Sequence, residues 1–503
     1  MASGASGAKN PLGDWRVQEE VFALVAGDEM THGSDVQAAC GEPYMAWIVP
    51  AHRPRMLYFV ELGAWEDTVA NMKRRRFIKL AAGAISAPTI IPSSTLGQGK
   101  TIPPSQRVNV GVIGVGGQGT GVMNGIMRRD GTQIVAVCDV TKAHNEQRKA
   151  AVEKYYAEKT DSGVYKGCDT YSDFRELCAR RDIDAVIVGT PDHWHALATL
   201  EALRNGKDIY CEKPVTHLFA EGQAVYREVA KRNAIFQTGS QQRSDRNFRI
   251  AVEAVQNGLL GKIQNVEVGL PTGNKTDKEG RIGLPIPADL DYDFWCGPSR
   301  YLPFHSDRLH WNWRWCLDYG GGQLMDWIGH HNDIAHWGLG LDKSGPTKVE
   351  AVGFSYPEKG MWDNPINYEV KCEFEGGITS SMSNKHRMGT KWIGENGWIF
   401  ADRGKIEASK EEWIEPDFNR GPIKAYVSGN HLANFIEGVR TRKECIAPAE
   451  TAHRSITPGH LGYVSAALGR ALKWDPKSER VIDDPTADKL LRAVNYRGEW
   501  KLS

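Results

Sequence analysis

The chain reads as an α/β protein that begins with a doubly wound parallel sheet, and three features predict it. A glycine-rich loop, Gly114-Val115-Gly116-Gly117-Gln118-Gly119, joins a β-branched run to a helical stretch. Strand and helix patterns then alternate as far as residue 239. Finally, the tripeptide Glu212-Lys213-Pro214 closes the apolar run Asp208-Ile209-Tyr210-Cys211 and sets one lysine at a strand end. Ligands of open parallel sheets bind beyond the carboxyl ends of the strands, so Lys213 is placed to face whatever the glycine loop holds.

At 503 residues, with 41% apolar and 25% charged side chains, the chain is long enough for two or three domains. Its 62 basic and 62 acidic residues cancel, which argues against nucleic acid or an anionic membrane as partner and for a small ligand. Nine cysteines show no paired short spacing and several lie in apolar runs, so buried free thiols are expected.

Residues 72–104 open with Met72-Lys73-Arg74-Arg75-Arg76-Phe77-Ile78-Lys79, continue through a short apolar stretch to Ala87 and end rich in Pro, Ser and Gly. They resemble a twin-arginine export signal with Arg74-Arg75 as the pair. That implies the export machinery as a partner and a periplasmic or exported protein. Residues 1–71 carry Glu19-Glu20 and Asp28-Glu29 and no basic leader, and are expected to be a poorly ordered or misassigned extension. No apolar run reaches the roughly 20 residues a bilayer crossing takes, so no integral membrane domain is expected.

A dinucleotide domain is expected over 105–239. Val108 to Ile113 is a strand leading into the glycine loop, where the first glycine permits the turn and the second lets a pyrophosphate approach the backbone. A second strand, Gln133 to Cys138, ends at Asp139, placed to bond a ribose 2′-hydroxyl and favouring NAD over NADP, although Lys142 lies nearby. The strand Ala185 to Val188 leads to Gly189-Thr190-Pro191, and His193-Trp194-His195 opens the next helix. The two histidines lack a third ligand at metal spacing, and no metal is expected.

Gly114 to Gly119, Thr190-Pro191, His195 and Glu212-Lys213-Pro214 together resemble the Gfo/Idh/MocA oxidoreductase family. The likeness continues at Gly320 to Asp333, where the family's Asp-x-x-x-His element falls on Asp326 and His330. It implies a Rossmann domain followed, over 240–474, by an α+β domain with an open, mostly antiparallel sheet, then a peripheral tail over 475–503. It also implies NAD held by the loop residues, Asp139, Thr190, Pro191, His195, Glu212 and Lys213, and a homo-oligomer, dimer or tetramer. On a helix Asp326, His330 and Asp333 fall at i, i+4 and i+7 and share one face. The adjacent His331 leaves open which ring enters the site.

The pocket wall is read from two further segments. His310-Trp311-Asn312-Trp313-Arg314-Trp315 is dense in aromatics, some for packing and at least one for a sugar face, with Arg314 available for hydroxyls. Gln241-Gln242-Arg243 follows the strand from Ile235 and suits a pocket edge or a surface turn. The implied activity is oxidation of a sugar, polyol or glycoside alcohol, with His330 as base, Lys213 on the reacting oxygen and Asp326 orienting. Glycoside cleavage with NAD recycled in place, and a non-catalytic sugar or dinucleotide sensor, are the alternatives.

Overall fold

The computed structural model describes residues 107–502 apart from 161, 162 and 281; the twin-arginine segment and the extension before it lie outside the described residues. Strands β1 (Val108–Ile113), β2 (Thr132–Cys138), β3 (Asp169–Tyr171), β4 (Ala185–Val188), β5 (Asp208–Cys211) and β6 (Phe236–Thr238) form one sheet in the order β3-β2-β1-β4-β5-β6. Every neighbouring pair is parallel. All residues of β4 and β5 are buried, the pattern of strands covered on both faces. The crossovers are α1 (Gly117–Met127), α2 (Lys142–Ala157), α3 (Phe174–Cys178), α4 (Asp192–Arg204) and α5 (Phe219–Arg232). The strand order reverses between β1 and β4, and a binding crevice is expected at their carboxyl ends.

After α6 (Arg246–Gln256) comes a second sheet built from β7 (Ile263–Gly269), β8 (Lys348–Ser355), β9 (Asn367–Glu373), β10 (Thr379–Ser383), β11 (Gly389–Gly394), β12 (Gly397–Asp402), β13 (Lys405–Ala408), β14 (Leu472–Asp475) and β15 (Arg480–Ile482). Its order is β13-β12-β11-β7-β10-β9-β8-β14-β15. The pairs are antiparallel except β7 with β10, so the sheet is mixed and mostly antiparallel, in agreement with the expected architecture. Between β7 and β8 the chain makes α7 (Tyr292–Cys296) and α8 (Gly322–Leu339). Buried residues alternate along β9, and α8 and α10 (Ala449–Leu468) pack on the buried face.

Two boundaries differ from the sequence reading. Helix α9 (His431–Thr441) returns to the first sheet, where Phe435 and Ile436 share a core with Val110 and Ile134. A contiguous domain over 240–474 misses that return, because an amphipathic helix does not show in sequence which sheet it will cover. Residues 475–503 are not a peripheral tail: β15 forms a sheet edge, α11 (Pro485–Leu491) packs on α10, and Trp500 meets Trp194 edge-on at 4.8 Å. These elements are too short to carry a readable period. All eight described cysteines are buried and free.

Candidate active site

The first sheet ends in a cradle for an anion. Gly114 has φ 79°, and a Cβ there would stand 2.6 Å from the Thr190 nitrogen. One on Gly119 would meet the Gly114 carbonyl oxygen at 1.9 Å, so glycine is what lets β1, α1 and the loop after β4 close together. Around Gly116 and Gly117, by contrast, nothing lies within 4 Å of a built Cβ. Helix α1 starts at that open space without a side-chain cap, and its first-turn amides suit a pyrophosphate. The buried Thr190 hydroxyl beside it has no partner among the described residues.

At the end of β2, Asp139 accepts the Val115 N–H at 3.0 Å and the Thr141 N–H at 2.9 Å, with the His144 ring at 3.3 Å. It braces the glycine loop. Pro191 is the N-cap residue of α4. His195 touches the Pro214 carbonyl at 2.7 Å and the Thr190 carbonyl at 2.9 Å, tying the exits of β4 and β5 together. Burial holds its ring neutral down to about 4. Glu212 is buried and accepts from Gln118 Nε2 at 3.0 Å, which joins α1 to the end of β5. The open cradle, the orphaned hydroxyl and the carboxylate at the second strand fit a dinucleotide.

Lys213 leaves β5 and crosses to α8. Its Nζ donates to Asp326 Oδ1 at 2.8 Å and to the Asp326 carbonyl at 3.2 Å, and Arg314 Nε donates to the same Oδ1 at 3.1 Å. Burial raises the Asp326 carboxyl, but the charges of Lys213 and Arg314 outweigh it and hold the group below its usual value. Asp326 is therefore an anion shared by two cations. His330, one turn on, is 4% exposed, and its Nδ1 has no partner among the described residues. Burial first, then the charges of Lys213 and Arg403, keep its ring well below the ordinary imidazole range and so neutral.

The two histidines separate cleanly. His331 is fully buried against the second sheet, with Nδ1 2.7 Å from the Gly269 carbonyl and Nε2 3.6 Å from Asp402. Where a substrate contact was expected at His331, Asp333 and Arg243, the structure shows packing. Arg243 Nε meets Asp333 Oδ2 at 2.6 Å and its Nη2 reaches Asp342 at 2.7 Å, a buried bridge in which every guanidinium nitrogen is engaged. Trp313 is 7% exposed in an aromatic core with Tyr292 and Tyr319, which removes it from the pocket wall, while Trp311 is 62% exposed and lies 4.0 Å from the Arg314 guanidinium.

Two residues escaped the sequence reading. Asp192, first in α4, is 2% exposed with an unpartnered Oδ1; burial pushes its carboxyl up to about 8, against the pull of Arg314 and Lys213. Its place directly after Thr190-Pro191 was the available signal. Arg403, in the turn between β12 and β13, lies 4.7 Å from the Trp327 ring, and that ring is 5.5 Å from His330. Nothing in the local sequence marks it.

The NAD-binding Rossmann fold of an oxidoreductase family, Gfo/Idh/MocA, matches residues 108–240, and the C-terminal alpha/beta domain of the same family matches 247–502. The myo-inositol 2-dehydrogenase of Thermotoga maritima is 29% identical over 388 residues, 75% of this chain and 98% of that protein. The alpha-N-acetylgalactosaminidase of Shewanella oneidensis is 33% identical over 162 residues, 29% of this chain and 34% of that protein. Among solved structures, the aldose-aldose oxidoreductase of Caulobacter crescentus shares the fold with a TM-score of 0.52 at 19% identity, covering 73% of this chain and 99% of that one. With both domains matched in order, around a cradle and a Lys213–Asp326 contact that join them, the chain belongs to the Gfo/Idh/MocA oxidoreductase family.

Proposed function

We propose that this chain is an NAD-linked dehydrogenase of a secondary alcohol on a sugar, polyol or glycoside. The observation that carries the reading is the Lys213–Asp326 contact at the carboxyl end of β5, beside the glycine cradle and one helical turn from a neutral His330. A bound nicotinamide supplies the acceptor for the hydride that leaves the carbinol carbon. His330 takes the hydroxyl proton, so that the carbinol loses one hydride and one proton and becomes a carbonyl. Lys213 donates to the substrate oxygen and stabilises the charge that develops on it. Asp326, fixed by Arg314, holds Lys213 in place. Asp139, the carboxylate at the end of β2 beside the glycine loop, supports NAD over NADP through the expected bond to a ribose 2′-hydroxyl. Likeness to an inositol dehydrogenase over nearly its whole length supports a polyol or sugar as substrate. The Arg74-Arg75 segment supports export in the folded, cofactor-loaded state.

The test is NADH formation by the purified protein with myo-inositol and a panel of aldoses and polyols, beside Lys213→Met. Turnover in the variant should fall by about 10²–10³-fold, the size of a lost oxyanion donor, while NAD binding persists. Comparable turnover in the variant would sink the role given to Lys213. Cleavage of a methyl glycoside without net NADH would instead select the recycling reaction.

A further inference from the structure

The rim of the site holds a cation that the protein does not neutralise. Lys213 and Arg314 share Asp326, and Arg314 lies over Trp311, its guanidinium carbon 4.0 Å from the ring centroid. Arg403 is different. It is exposed, stacks at 4.7 Å on Trp327, and among the described residues no acidic oxygen pairs with its guanidinium. Its neighbour Asp402 accepts the Arg403 backbone N–H and leans on His331 Nε2 at 3.6 Å. Of the other carboxyls near the cluster, Asp192 is pushed up by burial to about 8 and carries its proton at neutral pH, and Glu212 faces Gln118 Nε2 at 3.0 Å. Among the described residues Arg403 is thus the cation of this cluster that no acidic oxygen pairs, and it sits at the exposed end.

Position gives that unpaired cation a direction. Trp327 and His330 are three residues apart on α8, with rings 5.5 Å apart, and Arg403 caps the indole. Imidazole, indole and guanidinium thus form a column from the reacting end to the rim. A sugar with its carbinol near His330 runs alongside this column and sends a substituent outward to Arg403. A hydroxyl needs hydrogen bonds but no counter-charge. A planar fork of donors suits a carboxylate, and a single unpaired guanidinium matches one carboxylate rather than a phosphate dianion.

We propose that the substrate is a carboxylate-bearing sugar, a uronic acid or its glycoside, whose carboxylate is held by Arg403 against Trp327. This rests on the dehydrogenase reading of the same site. The experiment titrates the NAD-loaded full chain calorimetrically with D-glucuronate and D-galacturonate beside D-glucose, D-galactose and glucose 6-phosphate, and follows NADH with each. The uronates should bind at least about tenfold more tightly than the matching aldoses, as a charge-assisted contact provides. Arg403→Gln should collapse that preference toward one, and Arg403→Lys should keep part of it. Equal affinity for acid and neutral sugar, preference for the phosphate, no binding of either uronate, or a preference that survives Arg403→Gln would overturn the proposal. Oxidation of neutral sugars with no response to uronates would defeat this inference alone. Selective uronate binding without NADH from any sugar would defeat the dehydrogenase reading and leave the carboxylate site standing.

Discussion

Asp326 Oδ1 accepts from both Lys213 and Arg314, whose side chains are only 12% and 10% exposed. Removing the acceptor strands two cations away from water. Asp326→Ala should therefore destabilise the fold by about 3–5 kcal/mol, the range for breaking a buried pair, as read by denaturant unfolding. Asp326→Asn keeps the shape and one acceptor oxygen; it should unfold later than the alanine variant, yet lose turnover because Lys213 is no longer held by charge. Full activity in the asparagine variant would refute the orienting role. Lys213, Asp326 and His330 were legible because strand-end position and helical spacing are local properties of a sequence. Arg243 and Asp333 were misplaced for the converse reason. Residue type announces a charge, but whether it meets a substrate or a partner ninety positions away, as Arg243 meets Asp333, depends on the fold.

The glycine loop was legible as strand, turn and helix start, and the element divides its glycines into two kinds. Gly119 is closed in by backbone, with the Gly114 oxygen 1.9 Å from a built Cβ, whereas Gly117 opens onto empty space at the first residue of α1. Gly119→Ala should lower the melting temperature, since overpacking costs about 1–3 kcal/mol, and should weaken NAD binding with it. Gly117→Ala should leave melting unchanged or slightly raised, alanine being the better helix former, while its methyl group intrudes where a pyrophosphate would lie. Fluorescence titration with NAD, paired with thermal melts, separates the two. Equal NAD affinity in Gly117→Ala and the parent would show that the loop is not the cradle. The second sheet was less legible at this scale. Its parallel pairing of β7 with β10 and the attachment of β14 to β8 arise from contacts between segments more than a hundred residues apart, which no local period records.

Across the whole molecule, burial has set protonation states that make stability depend on pH with a definite sign. Eight histidines are pushed down chiefly by burial, His195, His336 and His431 to about 4 among them, so they stay neutral in the fold and charge near 6.5 when unfolded. Between those values the unfolded chain binds more protons, and stability falls as pH drops. Five carboxyls shift the other way through burial: Asp192 to about 8, Glu221 to about 7, Asp363 to about 6, and Glu212 and Asp333 upward. They bind protons in the fold that the unfolded chain has released, so their contribution is lost as pH rises through the folded values. Within the histidine range eight groups oppose five and the histidines win, each net proton being worth about 1.4 kcal/mol per pH unit. Above it the histidines are silent and the carboxyls act alone. Stability should thus peak near neutrality, declining steeply toward about pH 5 and more gently toward about pH 8. Thermal melts across that range at constant ionic strength check the shape, and a melting temperature that holds level or climbs from neutral to acid would contradict it.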